Sequence, residues 1–237
     1  MSEIENRLKT EIQNNRANSF LVIVPNVASR QSRERKLIDY HPEGAITNLQ
    51  VQEIVGFINR LYSQIRRPRR HISSGIQRLW LNEITSSDIE SQHNLNTFRP
   101  GQNTAVPDST LSLIVDTINN LKGRNETQLE FVEESQTKTD LDTIYRSYEN
   151  KLGSQWIDEQ GKHLFLAENF HETYFTTAFP NVELVVVEGF TVLSKANIKL
   201  LQQIADIENI EMWFRTDCYS ENKDLYWNVV NLVKEFE

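Results

Sequence analysis

The 237-residue chain sets 25 Lys and Arg against 33 Asp and Glu, a formal net charge of −8. That balance argues against nonspecific nucleic-acid binding over the whole surface and confines any such contact to a local basic patch. The length suits one body with a real core and room for a small second lobe, and the lone Cys218 excludes a disulfide framework or a cysteine-based metal site. No apolar run approaches the roughly 20 residues that span a bilayer, and the N-terminus reads as an amphipathic helix rather than a signal peptide, so no membrane contact and a cytoplasmic location are expected.

In chain order, Ile4, Leu8 and Ile12 recur at helical spacing, and a polar break at residues 14–19 ends that helix. Phe20-Leu21-Val22-Ile23-Val24 is a continuous apolar run stopped by Pro25, the pattern of a strand covered on both faces of a parallel sheet. Residues 28–38 read as a helix carrying Arg30, Arg33, Arg35 and Lys36. Residues 45–49 read as a short strand, and 50–64 as a helix burying Val51, Ile54, Val55, Ile58 and Leu61. Alternating strand and helix predicts an α/β fold built on a parallel sheet.

From about 65 to 178 the valine-rich strands stop, and helical patterns alternate with polar linkers at 85–91 and 94–107. Leu111, Ile114, Val115, Ile118 and Leu121 mark one helix closed near Gly123, and Leu141, Ile144, Tyr145, Tyr148 and Leu152 another closed by Gly153. The α/β pattern resumes with a strand at 182–188, a helix opened by Ser194, and a strand at 210–214. The expected organisation is therefore α/β over 1–64, a helical insertion over 65–178, and α/β again over 179–237. The chain ends inside an apparent helix at Phe236-Glu237, which predicts a piece of a longer protein.

Three segments in this order carry a family resemblance: Phe20 to Asn26 with the basic helix after it, Asp140 to Glu149, and Val187-Glu188-Gly189-Phe190. Together they resemble the N-terminal region of the B subunit of AddAB-type helicase–nucleases, over nearly the whole chain. The resemblance implies a RecA-like (P-loop NTPase-like) domain of the superfamily 1 helicase type, split by a helical insertion. It also implies a degenerate motor whose partner, the A-type motor subunit, supplies ATP and Mg²⁺, while the complex processes single-stranded or duplex DNA ends in break repair and recombination. By the same resemblance Asn26, Ser29 and Arg30, near the edge of the first strand, are candidate DNA contacts.

The departures from an active helicase concern the nucleotide site. The run Val182 to Glu188 resembles a Walker B strand, which delivers two adjacent acids, one for Mg²⁺ and one for the attacking water. Only Glu188 remains, with Gly189 in the second position. No Gly-x-x-x-x-Gly-Lys-Ser/Thr occurs, and Gly161-Lys162-His163 reads as a turn into a helix. The expectation is a noncatalytic fragment with no cofactor of its own.

Other chemistry is thinner. Glu221-Asn222-Lys223 with Asp217 has the letters of a PD-(D/E)XK nuclease motif but reads as a polar loop. His163, Glu168 and His171 lack zinc spacing and read as part of an amphipathic helix, so no metal is expected. Trp80, Trp213 and Trp227 read as core, and Trp156, after Gly153-Ser154-Gln155, is the freest to be exposed, with a hydrophobic lid favoured over a base platform. The clearest basic patch is Arg66-Arg67-Pro68-Arg69-Arg70-His71, whose guanidinium forks suit phosphate oxygens. Its alternatives are a solvated linker or a dock for an acidic partner surface. Two functions follow: a DNA-binding scaffold within a helicase–nuclease, or an interaction domain that holds the motor subunit without touching DNA.

Overall fold

The structure, a computed structural model, describes residues 3–86, 95, 97–98, 106–123 and 135–216. Its elements are α1 (Glu3–Gln13), β1 (Phe20–Val24), α2 (Val27–Ile38), β2 (Val51–Glu53), α3 (Ile54–Tyr62), β3 (Arg70–His71), α4 (Ser74–Ser86) and α5 (Asp108–Gly123). There follow α6 (Gln136–Leu152), β4 (Trp156–Ile157), α7 (Glu159–Asn169), α8 (Glu172–Ala178), β5 (Leu184–Glu188), α9 (Lys195–Ala205) and β6 (Glu211–Arg215). As far as they are described, the residues divide into two compact units, Met1–Arg66 with Leu166–Glu237, and Arg67–Phe165.

The first unit is an α/β layer on a four-stranded, wholly parallel sheet of order β2-β1-β5-β6. Every residue of β1 is buried, as the unbroken apolar run requires of a central strand covered on both sides. Alternate side chains serve opposite faces. Phe20, Val22 and Val24 join Ile4, Leu8 and Ile12 of α1, Leu37 of α2, and Leu184 and Val186 of β5 in one cluster. Leu21 and Ile23 take the other face, where α3 and α8 meet through Phe57, Phe175 and Phe179, with ring centroids 5.8 and 5.3 Å apart. From β1 the chain moves outward to β2, and from β5 outward the opposite way to β6. Right-handed crossovers therefore put α2 and α9 on opposite faces and open a crevice where β1 and β5 end, the usual ligand position in such sheets.

Two expectations are corrected here. Residues 45–49 are not a strand: Asn48 has φ +62°, a left-handed conformation no strand tolerates, and Val51 is the residue that pairs with Val22. The helix expected over 50–64 accordingly begins only at Ile54 and ends at Tyr62.

The second unit packs α4, α5 and α6 around Ile72, Leu81, Ile114, Ile118, Ile144 and Tyr148. It also holds the parallel pair β3–β4, with Arg70 opposite Trp156 and His71 opposite Ile157, in a region read from sequence as lacking strands. Beneath them the Lys122 ammonium donates to Asp158 at 2.6 Å, and the Tyr148 hydroxyl donates to the same oxygen at 2.7 Å. All three residues are buried, so each charge or hydroxyl finds its partner inside the protein. Burial next to Asp158 pushes the Tyr148 phenol up. Among the described residues no helix is long and apolar enough to cross a membrane.

Candidate functional site at the C-terminal edge of the sheet

Where β1 and β5 end, a cavity of about 470 Å³ is lined by Val24, Ala28, Ser29, Ser32, Arg33, Lys36, Glu188, Gly189 and Arg215. Glu188 is the last residue of β5, delivered to the edge by the valine run before it. It does not face the cavity as a free acid. Arg33 Nε lies 2.7 Å from its Oε1, and Arg215 Nη1, from the end of β6, lies 3.7 Å from its Oε2. Arg33 reaches Glu188 because α2 begins just after β1 and runs back over the sheet, so its second turn passes the end of the neighbouring strand.

The same guanidinium is shared with Glu5 of α1. Arg33 Nη1 donates to Glu5 Oε1 at 2.8 Å, Lys36 at 2.9 Å, and Arg215 also binds that oxygen, while the Tyr40 hydroxyl donates to Oε2 at 2.7 Å. The two acids titrate in opposite directions. Burial alone raises Glu5, but hydrogen bonds from Lys36, Tyr40 and Arg33 outweigh it and hold the carboxyl at about 2. Burial raises Glu188, and although Arg33 and Arg215 pull it down, the Glu5 charge adds to the rise and the carboxyl stays above its ordinary value. Burial and the Glu5 carboxylate push Tyr40 up to about 12. Sequence reading missed Glu5, Tyr40 and Arg215. The available signal was Glu5 itself, an acid in the stripe of Leu8 and Ile12 on an apolar helix face, where a carboxylate needs a buried partner.

Gly189 follows Glu188 at φ +78°, and its N–H donates to the Arg215 carbonyl at 3.2 Å. A Cβ there would lie 3.6 Å from Pro25 Cδ, an ordinary contact, so space is available and the backbone conformation is what favours glycine. The connection from β1 to α2 is only Pro25 and Asn26. Asn26 is the N-cap, its side chain accepting from Ser29 N at 2.9 Å. Arg30 pairs with Glu53 at 2.9 Å and Glu34 at 3.8 Å. Of these three, Ser29 alone lines the cavity.

The arginines of the 66–70 segment have a different environment. Arg66, at the end of the first unit, is exposed, as are Arg67, Arg69 and Arg70 in the second. Arg69 lies over the Phe165 ring at 5.7 Å and Arg70 over Trp156 at 5.8 Å. Proline keeps the segment from continuing as a helix, and β3 begins at Arg70.

The remaining candidates separate. His171 caps α8 by accepting from Thr173 N, and His163 is buried in α7; among the described residues no group of three or more His, Cys, Asp or Glu gathers as a metal site. Gly161 and Lys162 lie within the first turn of α7. Trp213 packs half-buried against the α1–α2 face, and Trp80 and Trp156 half-buried against the second core. Asp217, Cys218, Glu221, Asn222, Lys223, Trp227 and the terminal Phe236-Glu237 lie outside the described residues. A family model described as ADDB, N-terminal matches residues 1–227 of the chain. No curated protein matches it.

Proposed function

Because the chain belongs to the AddB N-terminal family, part of AddAB-type helicase–nucleases of DNA repair, we propose that it is a noncatalytic, DNA-binding scaffold portion of such a complex. In this reading the four-stranded sheet is the remnant of a RecA-like helicase domain, and the helical insertion expected over 65–178 is the second unit, Arg67–Phe165. The single observation that carries the proposal is the closure of Glu188 by Arg33 and Arg215. In a working motor that acid holds a metal, whereas here two guanidinium groups already occupy it.

The residues present do not fit a nucleoside triphosphate with its metal. A phosphate-cradling loop arches several backbone N–H groups around the phosphates and ends in a lysine. Two residues between β1 and α2 leave no length for that arch, and Pro25 has no N–H to offer. The second acid is absent, and φ +78° at Gly189 disfavours any replacement. The chain thus uses no cofactor of its own, ATP and Mg²⁺ belonging to the A-type motor partner. Contact with DNA falls to Arg66, Arg67, Arg69 and Arg70, all of which are exposed. Work on DNA in partnership with that motor subunit sets the expected location as the cytoplasm.

The second reading, docking of the motor subunit without DNA contact, draws on the net charge of −8. One experiment separates the two: fluorescent single-stranded and tailed-duplex DNA mixed with the chain, ATP and Mg²⁺, with anisotropy and phosphate release followed together. Binding without phosphate release is expected. Phosphate release would refute the noncatalytic assignment, and absence of DNA binding there, with capture of the motor subunit added to a second sample, would establish the docking reading.

A further inference from the structure

We infer that the second unit carries a base-stacking platform for single-stranded nucleic acid, centred on Trp156 with Arg70 as its outer leaf. The inference rests on the reading that the chain contacts DNA, and adds which part of the strand is held and by what. The short parallel pair β3–β4 creates the juxtaposition: Arg70 N donates to the Gln155 carbonyl at 2.8 Å and Ile72 N to the Ile157 carbonyl at 2.9 Å. That register sets Arg70 opposite Trp156. Ile157 and Ile72 are buried and anchor the strands, while Trp156 stays half-exposed and Arg70 exposed.

The aromatic surface continues, and cations accompany it throughout. Trp80 meets Trp156 edge to face at 6.0 Å and 87°, Lys151 Nζ, which also pairs with Glu83, lies 5.3 Å from the Trp80 ring, and Arg69 lies 5.7 Å from Phe165. A lid over a core needs only apolar bulk and does not require a cation at each of three rings. Aromatic faces interleaved with Arg and Lys are complementary to a single strand, whose bases stack on rings and on guanidinium planes while its phosphates meet the charges. Duplex DNA, its bases already stacked in pairs, offers no such face.

The test compares the full chain's affinity for an oligo(dT) strand and for an abasic strand of equal length, which keeps the phosphates and lacks the bases. The wild type is expected to prefer oligo(dT) by about five- to a hundredfold, the worth of one base–aromatic stack. Trp156→Leu is expected to lose that preference while keeping its abasic affinity and salt dependence, and Trp156→Phe to keep most of it. Oligo(dT) should also quench tryptophan emission in the wild type more than in Trp156→Phe. Equal wild-type affinity for the two strands overturns the platform and leaves the arginine contact standing. Binding of neither strand overturns both. If Trp156→Leu fails to fold, the wild-type strand comparison and the quenching difference decide alone.

Discussion

Arg33 and Arg70 are the same residue type in opposite circumstances. Arg33 has 5% of its side chain exposed and is held between Glu5 and Glu188, whereas Arg70 is exposed and faces a tryptophan ring instead of a carboxylate. A buried guanidinium must be neutralised locally, because an uncompensated charge in the interior costs several kcal/mol. An exposed one needs no internal partner and remains free to meet an external anion. At the sheet edge of the first unit the charges hold the structure together; in the second, Arg70 is proposed to meet DNA.

The largest effect should come from breaking the buried half of this contrast. Arg33→Met removes the more deeply buried of the two cations that Glu5 and Glu188 share, leaving Arg215, and is expected to cost about 3 kcal/mol in a denaturant titration. The double change Arg33→Met with Glu188→Gln should recover part of that loss by removing one poorly compensated charge. A loss under about 1 kcal/mol for Arg33→Met would show that the cluster is not a structural lock.

Reversing Arg66, Arg67, Arg69 and Arg70 to Glu addresses the exposed half. If the four neutralise four phosphates, wild-type affinity should fall about a hundredfold between 50 and 200 mM salt, and most of that dependence should vanish in the variant. Thermal unfolding should change little, since all four side chains are exposed.

Acid sharpens the contrast further. Glu5 titrates at about 2 in the folded protein against an ordinary 4.5, so its stabilisation is present above 4.5 and lost as pH falls through about 2. Glu188 is raised, so its ionised form opposes folding and protonation there relieves the molecule as pH falls. Unfolding free energy measured from pH 6 downward is therefore expected to fall steeply only below about 4.5, and Glu5→Gln should flatten that limb.

Smaller effects test the local geometry. Restoring an acid by Gly189→Asp forces a side chain onto a left-handed backbone, costing about 1–2 kcal/mol and yielding no ATP hydrolysis, because the phosphate loop is still absent. Measurable hydrolysis by that variant would contradict the account of the sheet edge. Asn26→Ala removes the cap of α2 and should cost about 1 kcal/mol by thermal unfolding, without changing the salt dependence of DNA binding.

Much of this fold is legible in the amino-acid sequence. The all-apolar Phe20–Val24 and the valines before Glu188 mark central parallel strands, because only a strand covered on both faces is apolar at every position. Ser194 and Gly153 mark helix ends through side-chain capping and a left-handed φ of +52°. The missed elements were short or nonlocal. The two-residue strands β3 and β4 carry no periodicity, and Val51 is a strand residue only because Val22 lies beside it. The Glu188 position was readable from its strand, but its closure was not. Glu5, Arg33 and Arg215 are joined across 210 residues of sequence by the fold alone, and Glu5 betrays itself only as an acid on an apolar stripe.

The most direct test of the central claim is the salt dependence of single-stranded DNA affinity for three proteins side by side: wild type, the four-arginine reversal, and Glu188→Gln. The account predicts a steep, matching dependence for wild type and Glu188→Gln, and a shallow one with weak binding for the reversal. A reversal variant that binds like wild type, with Glu188→Gln losing DNA, would place the contact at the sheet edge and contradict the division of labour between the two units.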